Sequence, residues 1–74
     1  NHEILLLTDL FGATPSNIAS LLLQPGKVEM VTGLNMPMLI RAVTYADKGL
    51  QVCVQKAIEG AKSGIIYLNG NETT

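Results

Sequence analysis

Two periods of apolar residues run along this chain. Residues 4–7, Ile-Leu-Leu-Leu, form an unbroken apolar run, the pattern of a strand covered on both faces in a parallel sheet. After a loop over residues 8–13 the period changes. Ile18, Leu21 and Leu22 recur at helical spacing with Ala19 and Leu23 beside them, which predicts a helix from residue 15 to about residue 24. Thr14 is placed to cap it, and Pro15 suits a first helical position, where an N–H would find no intrahelical partner. Pro25-Gly26 ends that helix. Val-Glu-Met-Val-Thr at 28–32 predicts a second strand, broken by Gly33-Leu34-Asn35. Asn35 then caps a helix with Pro37 in its first turn, running to about residue 46. Beyond Lys48-Gly49, Leu50, Cys53, Val54, Ala57, Ile58 and Ala61 form the apolar stripe of a helix over 50–62. Gln51, Gln55, Glu59 and Lys62 supply its wet side. Gly64 stops it, Ile-Ile-Tyr-Leu at 65–68 predicts a last short strand, and 69–74 form a loose polar tail.

The order β-α-β-α-α-β predicts an α/β fold, a parallel sheet with flanking helices of the flavodoxin-like half-domain kind. Right-handed connections place both strand-to-helix loops at the carboxyl edge of the strands, where open α/β sheets bind ligands. Two or three strands make a poor sheet. A chain of 74 residues is at most one domain, and a domain that short buries only about 60% of its unfolded surface. The composition is nonetheless 47% hydrophobic and 15% charged. Part of the apolar surface is therefore expected to meet another chain or a missing segment. The chain starts without methionine and runs straight into a strand, so residues 1–74 are expected to be a partial domain lacking an N-terminal strand.

Charge and cysteine count narrow the function classes. A net charge of -1 with scattered Lys and Arg gives no footprint for nucleic acid. The single cysteine, Cys53, forbids an internal disulfide and reads as a small buried hydrophobe. No Cys/His cluster has metal-ligand spacing, so no metal and no cofactor are expected. No apolar stretch reaches the roughly 20 residues that span a bilayer, and the start lacks the marks of a signal peptide. Asn-Glu-Thr at 71–73 matches a glycosylation acceptor by chance on this reading. A soluble cytoplasmic location is expected.

The chemistry concentrates in residues 8–17, Thr-Asp-Leu-Phe-Gly-Ala-Thr-Pro-Ser-Asn. Asp9 follows an apolar strand, so its carboxylate is expected to be partly desolvated and aimed at the ligand edge. Gly12 allows a tight turn with exposed N–H groups beside Ala13. The helix start at Pro15 brings a positive dipole end and free donors, suited to a phosphoryl group. Thr14 and Asn17 add polar side chains, and Asn35 projects from the neighbouring loop. Capping and Gly/Pro punctuation are also ordinary fold chemistry; Phe11 and Met36 read as packing. The loop is neither a Walker A nor a G-x-G-x-x-G fingerprint, and Asp-Leu-Phe-Gly only grazes the kinase triplet. From the residues alone, a generic anion binder stays open.

Taken together, Leu-Leu-Leu-Thr-Asp-Leu-Phe-Gly-Ala-Thr-Pro-Ser-Asn and Val-Thr-Gly-Leu-Asn-Met-Pro-Met-Leu-Ile-Arg-Ala-Val resemble the second half of the mannose-type enzyme IIA domain. That domain belongs to the bacterial phosphoenolpyruvate-dependent sugar phosphotransferase system. The resemblance covers about residues 4–68 and implies a homodimer exchanging C-terminal strands. It also implies phosphoryl transfer on histidine, from the phosphocarrier HPr to a IIB component, with the membrane met only through a transporter. Asp9 matches the carboxylate that hydrogen-bonds the active histidine, and Thr14 the hydroxyl near the phosphoryl group. Gly12, Ala13, Asn17 and Asn35 are the expected phosphoryl-binding residues. The phosphorylated histidine itself lies upstream in the family. His2 precedes the strand and stands at the wrong end of the sheet. The 74 residues alone are therefore expected to be inactive. The alternative within this resemblance is a regulatory module controlling a partner or transcription activator.

Overall fold

The computed structural model describes residues 2–9 and 21–70. Strands β1 (Ile4–Thr8) and β2 (Val28–Thr32) pair in parallel, with Ile4 opposite Val28 and Thr8 opposite Thr32. Helices α1 (Met36–Thr44) and α2 (Leu50–Ser63) follow. This is the expected α/β half-domain. Most of the helix predicted from residue 15 lies outside the described residues, although Leu21 and Leu22 are helical. Residues 71–74 of the predicted tail lie outside them as well.

Alternation along the strands puts Leu5, Leu7, Glu29 and Val31 on one face. The two helices cover that face. Val31, Met38, Ala42, Cys53 and Ala57 are buried together, with Leu5, Leu7, Leu34, Val54 and Ala61 packed against them. Met38 is 2% exposed, and burying a side chain of that size contributes about 1.5–3 kcal/mol. The opposite face carries Leu6, Val28 and Met30, all half-buried.

Two glycines make the turns. Gly33 leaves β2 at φ +82° and Gly49 enters α2 at φ +96°, a region that side chains with a Cβ rarely adopt. Gly49 cannot cap α2 with a side chain, and Glu3 does so from the start of β1. Its Oε1 accepts the Leu50 N–H at 2.9 Å. Glu29 likewise ties β2 to α2, accepting from the Gln51 amide at 3.1 and 3.2 Å. At the other end the helices cross closely. A Cβ on Gly60 would stand 2.8 Å from the Pro37 carbonyl oxygen, and one on Gly64 would stand 2.4 Å from Pro37 Cγ.

Two expectations need correction. Helix α1 stops at Thr44 rather than near residue 46, because the chain tightens there: Ala46 N–H bonds Val43 O at 3.3 Å and Lys48 N–H bonds Tyr45 O at 3.0 Å. The strand expected at 65–68 is not formed within this chain. A strand exists only through ladder bonds to a neighbour, and this segment has no neighbouring strand among the described residues. Its four side chains stay 71–80% exposed.

Candidate functional site

The carboxyl ends of β1 and β2 are level, and a loop bond locks them. Leu34, two residues past β2, donates its N–H to Thr8 O at 3.0 Å. Asp9, the next residue after β1, therefore stands beside the Gly33 turn, on the edge where α/β sheets receive ligands. Asp9 is exposed, not partly desolvated as expected. No ion pair engages it among the described residues. Gly12, Ala13, Thr14 and Asn17 lie outside the described residues.

Asn35 is brought to the same edge, but both its polar atoms are occupied. Its Oδ1 accepts the Met38 N–H at 3.0 Å, capping α1, and its Nδ2 donates to Ala61 O at 3.2 Å in the last turn of α2. The cap was legible from Asn-x-Pro. The bond to Ala61, 26 residues away, had no signal in the sequence.

His2 is exposed and lies before β1, while Asp9 lies after it. At about 3.3 Å per residue, a strand separates them by roughly 20 Å. They cannot share a site. Cys53 is buried, as expected, and burial pushes its thiol above the ordinary 9.0. Among the described residues no group of His, Cys, Asp and Glu could hold a metal ion, and no helix is long and apolar enough to cross a membrane.

A parallel sheet with helices on one face, a strand-end aspartate and an adjoining glycine turn together define an α/β half-domain. The chain belongs to the family described as the PTS system fructose IIA component, whose model matches residues 1–59. It is also similar to the fructose-specific EIIA component of the PTS system of Bacillus subtilis (strain 168), with 39% identity over 47 residues. That match covers 62% of this chain and 32% of the relative, so it spans about a third of the relative's length. No solved structure matches. The resemblance to mannose-type IIA domains, read from the two loop motifs, agrees with this family.

Proposed function

We propose that this chain supplies the aspartate-bearing part of a IIA phosphoryl-transfer site, which takes a phosphoryl group from HPr and passes it to a IIB component. The acceptor is a histidine outside these 74 residues, since His2 stands at the far end of β1. In the transfer the N–P bond of phospho-HPr breaks and a new N–P bond forms on the acceptor imidazole. Asp9 accepts a hydrogen bond from one ring nitrogen, which fixes the tautomer and leaves the other nitrogen's lone pair free to attack. As the ring becomes cationic the carboxylate stabilises it. Thr14, Gly12, Ala13 and Asn17, in the loop and helix start that the sequence predicts after β1, receive the phosphoryl oxygens. Such transfer needs positioning and charge stabilisation more than covalent machinery.

The observation that carries this reading is the placement of Asp9 at the end of β1, beside the Gly33 turn. The fructose-specific name of the Bacillus relative favours a transport role over the regulatory one. The protein then works in the cytoplasm as a homodimer and reaches the membrane only through its transporter.

The test is to incubate the full-length protein with phosphoenolpyruvate, enzyme I and HPr and measure acid-labile phosphohistidine. Labelling is expected, and Asp9→Asn should slow it by about a hundredfold or more, within the range for a positioned proton-handling group. Absent phosphohistidine, or a rate unchanged by Asp9→Asn, overturns the proposal.

A further inference from the structure

We infer that Asn35 is a positioning residue: its amide bridges the first turn of α1 and the last turn of α2, and so holds Gly33 and Leu34 against the end of β1, where Asp9 stands. The consequence for transfer rests on the reading of Asp9 given above; the bridge itself does not.

The Met38 N–H lies in the first turn of α1, where no intrahelical acceptor reaches it. The Ala61 carbonyl, in the last turn of α2, accepts the Gly64 N–H at 3.2 Å and takes the Asn35 amide on its remaining lone pair. Only one orientation of the amide serves both, because one neighbour is a donor and the other an acceptor. A planar group with an acceptor and a donor on one carbon is therefore required. Aspartate has no donor, and serine is too short to reach both.

The helix crossing is built to permit the contact. Gly60 and Gly64 let Pro37 approach the α2 backbone, and any Cβ at either glycine would collide with it. That approach leaves Asn35 Nδ2 3.2 Å from Ala61 O. The restraint then passes along the chain. Asn35 is fixed at both polar atoms, Leu34 directly before it donates to Thr8 O at 3.0 Å, and Asp9 directly follows Thr8. Asp9 itself is exposed and has no ion pair among the described residues. Its position is set by the backbone beneath it, and that backbone is held by Leu34.

Asn35→Ser and Asn35→Asp separate this role from the two others open to the residue. Asn, Asp and Ser are near-equal N-caps, so both variants keep α1 capped and lose the donor to Ala61, the Asp variant also setting a carboxylate oxygen against that carbonyl. In both, the Leu34 amide should exchange with solvent roughly threefold to tenfold faster, the net worth of one hydrogen bond. Amides inside the β1–β2 ladder should not change. In the full-length protein, kcat for phosphoryl transfer should fall by a similar factor in both variants, with KM for HPr unchanged. If Asn35 touches the phosphoryl oxygens directly, the Asp variant loses kcat far beyond its own change in Leu34 exchange, through like-charge repulsion, and the inference fails. Parental exchange and parental kcat in both variants also overturn it, leaving Asn35 as a cap alone. Asp9→Asn run in parallel keeps the two proposals apart. If it leaves transfer unchanged, the phosphocarrier reading is lost and the Leu34 exchange rates alone decide the bridge.

Discussion

Cys53 lies between the helices, 6% exposed, with its Sγ–H donating to the Ala42 carbonyl at 3.3 Å. Burial penalises the thiolate, so the folded chain holds this proton to higher pH than the unfolded chain, whose thiol titrates near 9.0. Stability from this group is fully present below 9.0 and is lost as pH rises through the higher folded value. The thermal midpoint should therefore drop more steeply above pH 9 in the parent than in Cys53→Ala, by scanning calorimetry. Alkylation by iodoacetamide should likewise be slow until the chain is unfolded. The burial of Cys53 was legible from helical spacing alone. The capping of Leu50 by Glu3 was not, because 47 residues separate the partners, and nothing in local sequence records which distant carboxylate reaches a glycine-led helix.

At the scale of elements, the crossing of α1 and α2 is the feature that positions the site. Gly60 is buried within a helix, where alanine would ordinarily be favoured by about 1 kcal/mol. Here the added Cβ would stand 2.4 Å from Arg41 Cγ and 2.8 Å from the Pro37 carbonyl oxygen. The Arg41 side chain can yield, but the Pro37 backbone cannot without moving the start of α1. Overpacking of this kind costs about 1–3 kcal/mol, so sterics outweigh propensity. Gly60→Ala should lower stability in urea titrations, and it should speed Leu34 amide exchange as the Asn35 substitutions do. A stabilised Gly60→Ala protein with normal Leu34 protection would refute the close crossing. The sequence pattern placed both helices but read Gly64 only as a stop and gave Gly60 no role. Which glycine faces a neighbour depends on the crossing angle.

At the scale of the whole molecule, apolar surface is left uncovered. Met36, Ile40 and Val43 line the outward side of α1 at 66, 58 and 69% exposure, and residues 65–68 add four more exposed apolar side chains. An apolar groove of about 230 Å³ runs beside β1, lined by Leu5, Leu7, Leu39, Val43 and Cys53 among others. The radius of gyration, 14.5 Å, exceeds the roughly 11 Å of a compact domain this long. Such surface drives association. If residues 65–68 add a strand to a second copy, as in the proposed homodimer, then Ile66→Lys should shift the protein to monomer in sedimentation velocity. Because Ile66 is exposed in the single chain, the monomer's own stability should change by less than about 0.5 kcal/mol. A dimer that survives Ile66→Lys unchanged would remove residues 65–68 from the interface.

The amino-acid order by itself determined the two strands, both described helices and the turns at Gly33 and Gly49. Each of these is decided within a few residues, by side-chain period, by the steric limits on φ, or by a cap and a proline. It also carried the family, through two loop motifs at a fitting separation. Only the tertiary structure decided that Asp9 is exposed, that Asn35 serves two helices, and that residues 65–68 pair with no strand among the described residues. Those outcomes turn on which distant groups meet once the helices cross and the strands align. No local pattern of apolar and polar residues encodes that meeting.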